Sequence, residues 1–188
     1  KTRLVTLNAS EAETKTGLIA VPGGYKSTWI PDDFIWLAEC NPEKEDDYDK
    51  VRTYESYQLK ESDIVDNKAL FVVKIDEDEP QAAKYTYIAA YAPYAYSYFN
   101  FWKQAEDMDY TDWCERFGYT GEFVPAHMMM DLEFRTEQFP DPDSFDPMSD
   151  VMVSKPIETS GQMEGEFALK FARLGTIVKI TLTGLEKY

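Results

Sequence analysis

The sequence predicts an all-β fold, an antiparallel two-sheet β-sandwich with long irregular loops. Three observations predict it: short runs of alternating apolar and polar residues recur along the chain, sustained helical periodicity is scarce, and turn-forming or charged segments separate the runs. A parallel α/β sheet would need a helix between consecutive strands, and little of the sequence has the pattern to supply one.

In chain order, the runs are 4–7 (LVTL), 34–37 (FIWL), 70–75 (LFVVKI), 85–91 (YTYIAAY), 130–134 (MDLEF), 166–171 (EFALKF) and 177–182 (IVKITL). Each reads as a strand, because side chains two apart share one face of an extended backbone. The clearest pair is at the end: Phe167, Leu169 and Phe171 share a face, Val178, Ile180 and Leu182 share the next, and Gly175 lies between. Segments 21–27 (with Pro22, Gly23 and Gly24), 43–49, 76–80 and 139–150 carry turn residues or charge runs and read as loops. Only 100–117, where Phe101, Trp102, Ala105, Met108 and Trp113 fall at irregular helical spacing, departs from the all-β pattern. With no internal repeat, low-complexity tract or linker composition, residues 1–188 are expected to form one domain.

Composition narrows the partners. With 19 Lys and Arg against 35 Asp and Glu, the net charge of −16 repels phosphate backbones and anionic lipid, so nucleic acid is excluded as an expected partner. No run reaches the ~18 apolar residues of a membrane span, and Lys1 is expected to mark a processing boundary, having no apolar signal region. Cys40 and Cys114 fit no zinc or redox spacing; a disulfide, two thiols and burial as small apolar residues all remain open. Acidic neighbours, Glu43 near Cys40 and Glu115 beside Cys114, disfavour a reactive thiolate.

Residues with chemistry give little support for an enzyme. His127 is the only histidine, so any nucleophile system that needs an imidazole would rest on it alone. The carboxylates are too numerous for spacing to single out one acid, and they read as a solvated face. Asp141, Asp143 and Asp146 lack the Gly and the twelfth-position Glu of an EF-hand loop. No catalytic residue, metal or cofactor is therefore expected. Tyr91, Tyr94, Tyr96, Tyr98, Phe99, Phe101 and Trp102 crowd one stretch; they read first as core, and otherwise as a sugar-stacking platform centred on Tyr94, Tyr98 and Trp102.

Several local motifs occur in the order found in the N-terminal domain of the Bacteroides-type fimbrillin family. Glu13-Thr14-Lys15-Thr16, then Trp29, then Asp32-Asp33-Phe34-Ile35-Trp36-Leu37 resemble the family's Lys-Thr, Trp and Gly-Asp-x-Ile series, with Asp32 where Gly is usual, so that turn is expected to differ. Tyr87-Ile88-Ala89-Ala90-Tyr91-Ala92-Pro93-Tyr94 is similar to its Ala-Tyr-x-Pro-Tyr strand end, physically an apolar strand stopped by proline. Asp150-Val151-Met152, residues 167–171 and residues 177–182 are similar to its Asp-Leu-Met, Phe-x-His and hydrophobic strand series, with Ala172 in place of His.

The resemblance spans about residues 15–185 and implies a transthyretin-like or Ig-like Greek-key sandwich. It further implies export to the outer cell surface as a lipoprotein, and a C-terminal domain beyond this chain. The implied partners are other fimbrial subunits, joined by strand exchange, and a host surface protein or glycan. Phe167, Leu169, Phe171, Val178, Ile180 and Leu182 are then the expected strand-acceptor core. Family members that polymerise lose their first strand to a protease acting after an early-loop Arg; Arg3 and Arg52 are the early arginines here, and neither clearly matches. A non-enzymatic structural or adhesive fimbrial subunit is the leading expectation. A surface glycan-binding module is the alternative, and a secreted hydrolase, which would need a carboxylic acid in an apolar pocket, comes third.

Overall fold

In the computed structural model, which describes residues 1–9, 17–21, 24–44, 51–66, 68–93, 101–102, 129–130, 137 and 150–173, the alternating runs 4–7, 70–75 and 85–91 lie in strands, 34–37 overlaps one and 166–171 falls in two. In order these are β1 (Thr2–Ala9), β2 (Gly17–Val21), β3 (Gly24–Thr28), β4 (Trp36–Cys40), β5 (Val51–Glu55), β6 (Ile64–Val65) and β7 (Lys68–Asp76). They are followed by β8 (Tyr85–Tyr91), β9 (Phe101–Trp102), β10 (Met129–Met130), β11 (Met152–Ser154), β12 (Ile157–Thr159), β13 (Gly165–Leu169) and β14 (Phe171–Arg173). One 3-10 turn, Glu61–Asp63, precedes β6.

Two sheets carry the core. The first has the order β13-β1-β7-β6; the second has β14-β11-β8-β4-β5, with β12 also paired to β8. Period-two burial aims Val5, Leu7 and Ala9 of β1 and Ala69, Phe71, Val73 and Ile75 of β7 at Leu37, Tyr85, Tyr87, Ala89 and Tyr91 of the other sheet. Each of the larger side chains contributes about 1.5–3 kcal/mol by leaving water, and each alanine methyl roughly 0.8 kcal/mol. Trp29 fills the middle edge-on, with ring centroids 5.0 Å from Phe71, 5.6 Å from Tyr91 and 5.7 Å from Phe171. The chain is thus an all-β sandwich with two antiparallel-rich sheets.

At two corners the chain passes from sheet to sheet. After β5, Ser56 bridges to Val73 of the first sheet while its Oγ accepts the Ile35 N–H at 2.9 Å. After β13, Lys170 separates Leu169, in the first sheet, from Phe171, in the second, and its carbonyl accepts the Lys155 N–H at 3.0 Å. Strands that change sheets at a bend are how sandwich corners form.

Several expectations change. Residues 166–171 are two strands in different sheets, because the apolar alternation continues through a bend that only the two-sheet packing requires. One pair, β1 with β13, is parallel; strands far apart in sequence escape the geometry of a tight hairpin. Segment 21–27 is not a plain loop: Val21 ends β2 and residues 24–27 lie in β3, the two pairing with Val21 opposite Gly24, while Pro22 and Gly23 lie outside the described residues. Phe101 and Trp102, expected at the start of a helical stretch, are extended and pair with Met130 and Met129; the rest of 103–117 lies outside the described residues. So do 131–134 and 177–182, and with them the expected partner strand of 167–171.

Asp32 has φ 71°, the left-handed conformation that glycine accommodates most readily and Asp tolerates better than most side chains. The turn before β4 therefore keeps a backbone suited to glycine even though the residue is Asp. Asp33 next to it is buried: its Oδ2 accepts the Ile30 N–H at 2.9 Å and its Oδ1 accepts the Tyr91 hydroxyl at 3.0 Å. β8 ends at Tyr91, two residues before Pro93, as the proline stop predicts.

Candidate functional site

The expectation of strand exchange directs attention to the place occupied by β1. Its sequence, TRLVTLNA, alternates, so Val5, Leu7 and Ala9 are buried while Leu4 is 59% exposed on the outer face. On one side β1 runs antiparallel to β7, with Val5 opposite Val73, Leu7 opposite Phe71 and Ala9 opposite Ala69. On the other it runs parallel to β13, with Val5 opposite Gly165, Leu7 opposite Phe167 and Ala9 opposite Leu169. A single strand thus completes ladders on both sides and the core beneath.

Of the expected strand-acceptor residues, Leu169 and Phe171 are in the core and Phe167 packs against it half-buried. Phe167 and Leu169 line the β1 slot, whereas Phe171 sits in the other sheet against Trp29. Among the described residues β13 and β14 are the terminal strands of their sheets on this flank. Val178, Ile180 and Leu182 lie outside the described residues. Tyr94, Tyr98, Cys114, His127, Asp141, Asp143 and Asp146 do so too, and of Trp102 only the extended backbone in β9 is described. Cys40 is buried at the end of β4. Arg3 and Arg52, the early arginines, both lie within strands.

A buried polar network, unexpected from the sequence, closes one end of the sandwich. Glu39, on the core face of β4, pairs through Oε1 with Arg52 of β5; its Oε2 accepts the Tyr87 hydroxyl at 2.8 Å and the Gln162 side-chain amide at 2.9 Å. Asp78, after β7, accepts Asn41 Nδ2 at 2.7 Å and the Tyr85 hydroxyl at 2.9 Å, and pairs with Arg52 at 2.9 Å and Lys44 at 3.2 Å. Gln162 also donates to the Asp76 carbonyl at 2.6 Å and accepts the Asp78 N–H at 3.1 Å. The Tyr87 hydroxyl accepts the Met163 N–H at 2.9 Å. Charges this far from water are tolerated because they are matched and hydrogen-bonded.

The network leaves its mark on protonation. Burial raises the Asp78 carboxyl, but hydrogen bonds from Asn41, Tyr85 and Lys44 and the charge of Arg52 outweigh it and hold the group below its ordinary value. Burial lowers Arg52, but the Glu39 carboxylate, with Tyr54 and Asp78, leaves it raised. Burial, with Asp78 and Glu39 adding to it, pushes Tyr85 up to about 12; burial and Glu39 likewise raise Tyr54 and Tyr87. These shifts belong to a matched structural network that links the sheet ends to residues 162–163, just ahead of β13. Among the described residues no group of three or more His, Cys, Asp or Glu side chains is placed to hold a metal ion.

The sequence signal that missed this network was faint. Glu39 stands at a core-facing position of an otherwise apolar strand, and a charge there calls for a partner, but nothing in the sequence says that Arg52, Tyr87 and Gln162 supply it. Comparison of the chain with protein families, curated proteins and solved structures finds no match.

Proposed function

We propose that this chain is a non-enzymatic module of the extracellular cell surface, a structural or adhesive fimbrial subunit that assembles by β-strand exchange. The observation that carries this reading is the seating of β1, which lies between a parallel neighbour and an antiparallel one and supplies Val5, Leu7 and Ala9 to the core. Any strand with the same alternation that replaced it would regain both ladders and the same apolar burial, which is the physical basis of strand addition. The ordered series of fimbrillin-like motifs, with Trp29, Asp33 and Tyr91 joined in and around one core, lends further support. An outer-membrane lipid anchor, a Greek-key topology and a host protein or glycan as ligand belong to the same proposal.

Exchange is testable by cross-linking. Thr6 of β1 is opposite Val72 of β7. Chains carrying only Thr6→Cys are incubated with chains carrying only Val72→Cys and then oxidised, with the double variant as the intramolecular control. A covalent heterodimer at that pair means that β1 of one copy has entered the slot of another. No heterodimer, under conditions where the double variant closes its own cross-link, ends the strand-exchange reading.

A further inference from the structure

The β1 slot is charged at one end, opposite in sign to the strand it holds. Residues 1–9 contain Lys1 and Arg3 and no carboxylate, in a chain where acids outnumber bases 35 to 19. Lys1 Nζ is 3.1 Å from Glu79 Oε1, Arg3 Nε is 3.5 Å from Glu77 Oε1, and Arg3 Nη1 is 3.7 Å from Glu164 Oε2. Glu77 and Glu79 follow β7 and Glu164 precedes β13, so both strands bordering the slot deliver carboxylates to the same mouth.

Arg3 shares the inward parity of Val5, Leu7 and Ala9, and its side chain is 19% exposed against 23% for Glu77. Lys1 and Glu79 are far more exposed, and Glu164 is exposed as well, so solvent screens those contacts and the Arg3–Glu77 pair is the stronger determinant. A slip by one residue would turn Arg3 outward and send Leu4 inward. A slip by two would put the guanidinium where Val5 is fully buried, leaving a charge without a partner. At the far end Ala9 lies between Ala69 and Leu169, so the last inward position holds a small residue.

Resting on the strand-exchange reading, we infer that the slot selects its strand by charge as well as by shape. The partner is a strand of another subunit that carries basic residues at two alternate positions, followed at the same spacing by two aliphatic residues and one small residue. The cation at the third position fixes the register, and Glu77 chiefly reads it, with Glu164 adding a screened contribution at the rim.

The test uses the full chain with Leu7→Asp, which weakens the hold of its own first strand, and two synthetic peptides: residues 1–9, and the same with Lys1→Glu and Arg3→Glu. The native peptide is expected to bind saturably and the charge-reversed one about tenfold more weakly, with the preference inverted when the chain also carries Glu77→Lys and Glu164→Lys. Equal binding of the two peptides overturns the charge selection and leaves strand exchange standing. Binding of neither overturns strand exchange and this inference with it. Should Leu7→Asp prevent folding, the chain with native Leu7 tests the charge reading alone: Arg3→Glu lowers the urea midpoint, and adding Glu77→Lys and Glu164→Lys restores it, whereas simply additive losses refute charge reading at the slot; strand exchange itself is then decided by the cross-linking of Thr6→Cys and Val72→Cys chains.

Discussion

At the scale of single residues, Arg52 is the hinge of the buried network, since one guanidinium faces both Glu39 and Asp78. Replacing it by Met keeps an unbranched apolar stem but removes the charge facing both carboxylates, leaving Glu39 with neutral donors only and Asp78 with Lys44 as its one cation. The expected loss, reduced because Arg52 itself is partly exposed, is about 2–3 kcal/mol in urea unfolding, and a loss under about 0.5 kcal/mol would mean that water already serves these acids. Legibility at this scale divides by the type of signal. The proline stop after Tyr91 could be read directly because Pro93 acts on its own backbone. Asp33 as the acceptor of the Tyr91 hydroxyl could not, since the residues are 58 apart and composition says nothing about which polar side chains meet. Residue type alone did not reveal the conformation of Asp32 either: φ 71° lies in a region that glycine prefers and Asp also visits.

At the scale of elements, the strands that could be read were those with long alternation, β1, β7 and β8, whose buried positions follow period two. Among those that escaped, β6, β11 and β12 have two or three residues, too few for a period to stand out, whereas β2, β3 and β5 have five each but carry glycine or charged and polar residues in place of a clear apolar alternation. Phe167 and Leu169, and the run 4–7, could each be read as strand, but their pairing could not, because parallel pairing of β1 with β13 leaves no local turn signal. Where β11 gives way to β12, Pro156 offers no N–H to the ladder along β8. Ser154 covers part of the gap: its buried hydroxyl accepts the Ala89 N–H at 2.8 Å and donates to the Lys155 carbonyl at 3.0 Å. Ser154→Ala leaves the Ala89 N–H unsatisfied and is expected to cost about 1–3 kcal/mol, read as a shift in the thermal or urea midpoint. It should also speed amide exchange at Ala89 more than at Leu37, its neighbour on β4, and uniform acceleration along both strands would show that the hydroxyl has no local role.

At the scale of the whole molecule, the network ties the loop after β7 to β4, β5 and β8 and to the entry of β13, so its protonation sets the stability of the sandwich against pH. Asp78 has a folded pKa below its ordinary value, so its contribution is present above about pH 3.9, the unfolded value, and is lost as pH falls through the lower folded one. Tyr85 has the opposite sign: its contribution is complete below its ordinary value of 10.0 and disappears as pH rises from there through about 12. Neutralising the other acids also relieves part of the self-repulsion implied by a net charge of −16, which works against the acid loss without depending on position 78. The two effects separate in the Asp78→Asn variant. Near pH 7 it should be about 1–3 kcal/mol less stable than the parent, having lost charge-assisted hydrogen bonds from Asn41 and Tyr85 and the pairs with Arg52 and Lys44. Below pH 4 the parent should converge on the variant as Asp78 takes up its proton, so plots of urea midpoint against pH approach one another on the acid limb. Parallel curves down to pH 2 would show that Asp78 is no better placed in the folded chain than in the unfolded one, and that the network holds the end of the sandwich through its neutral hydrogen bonds alone.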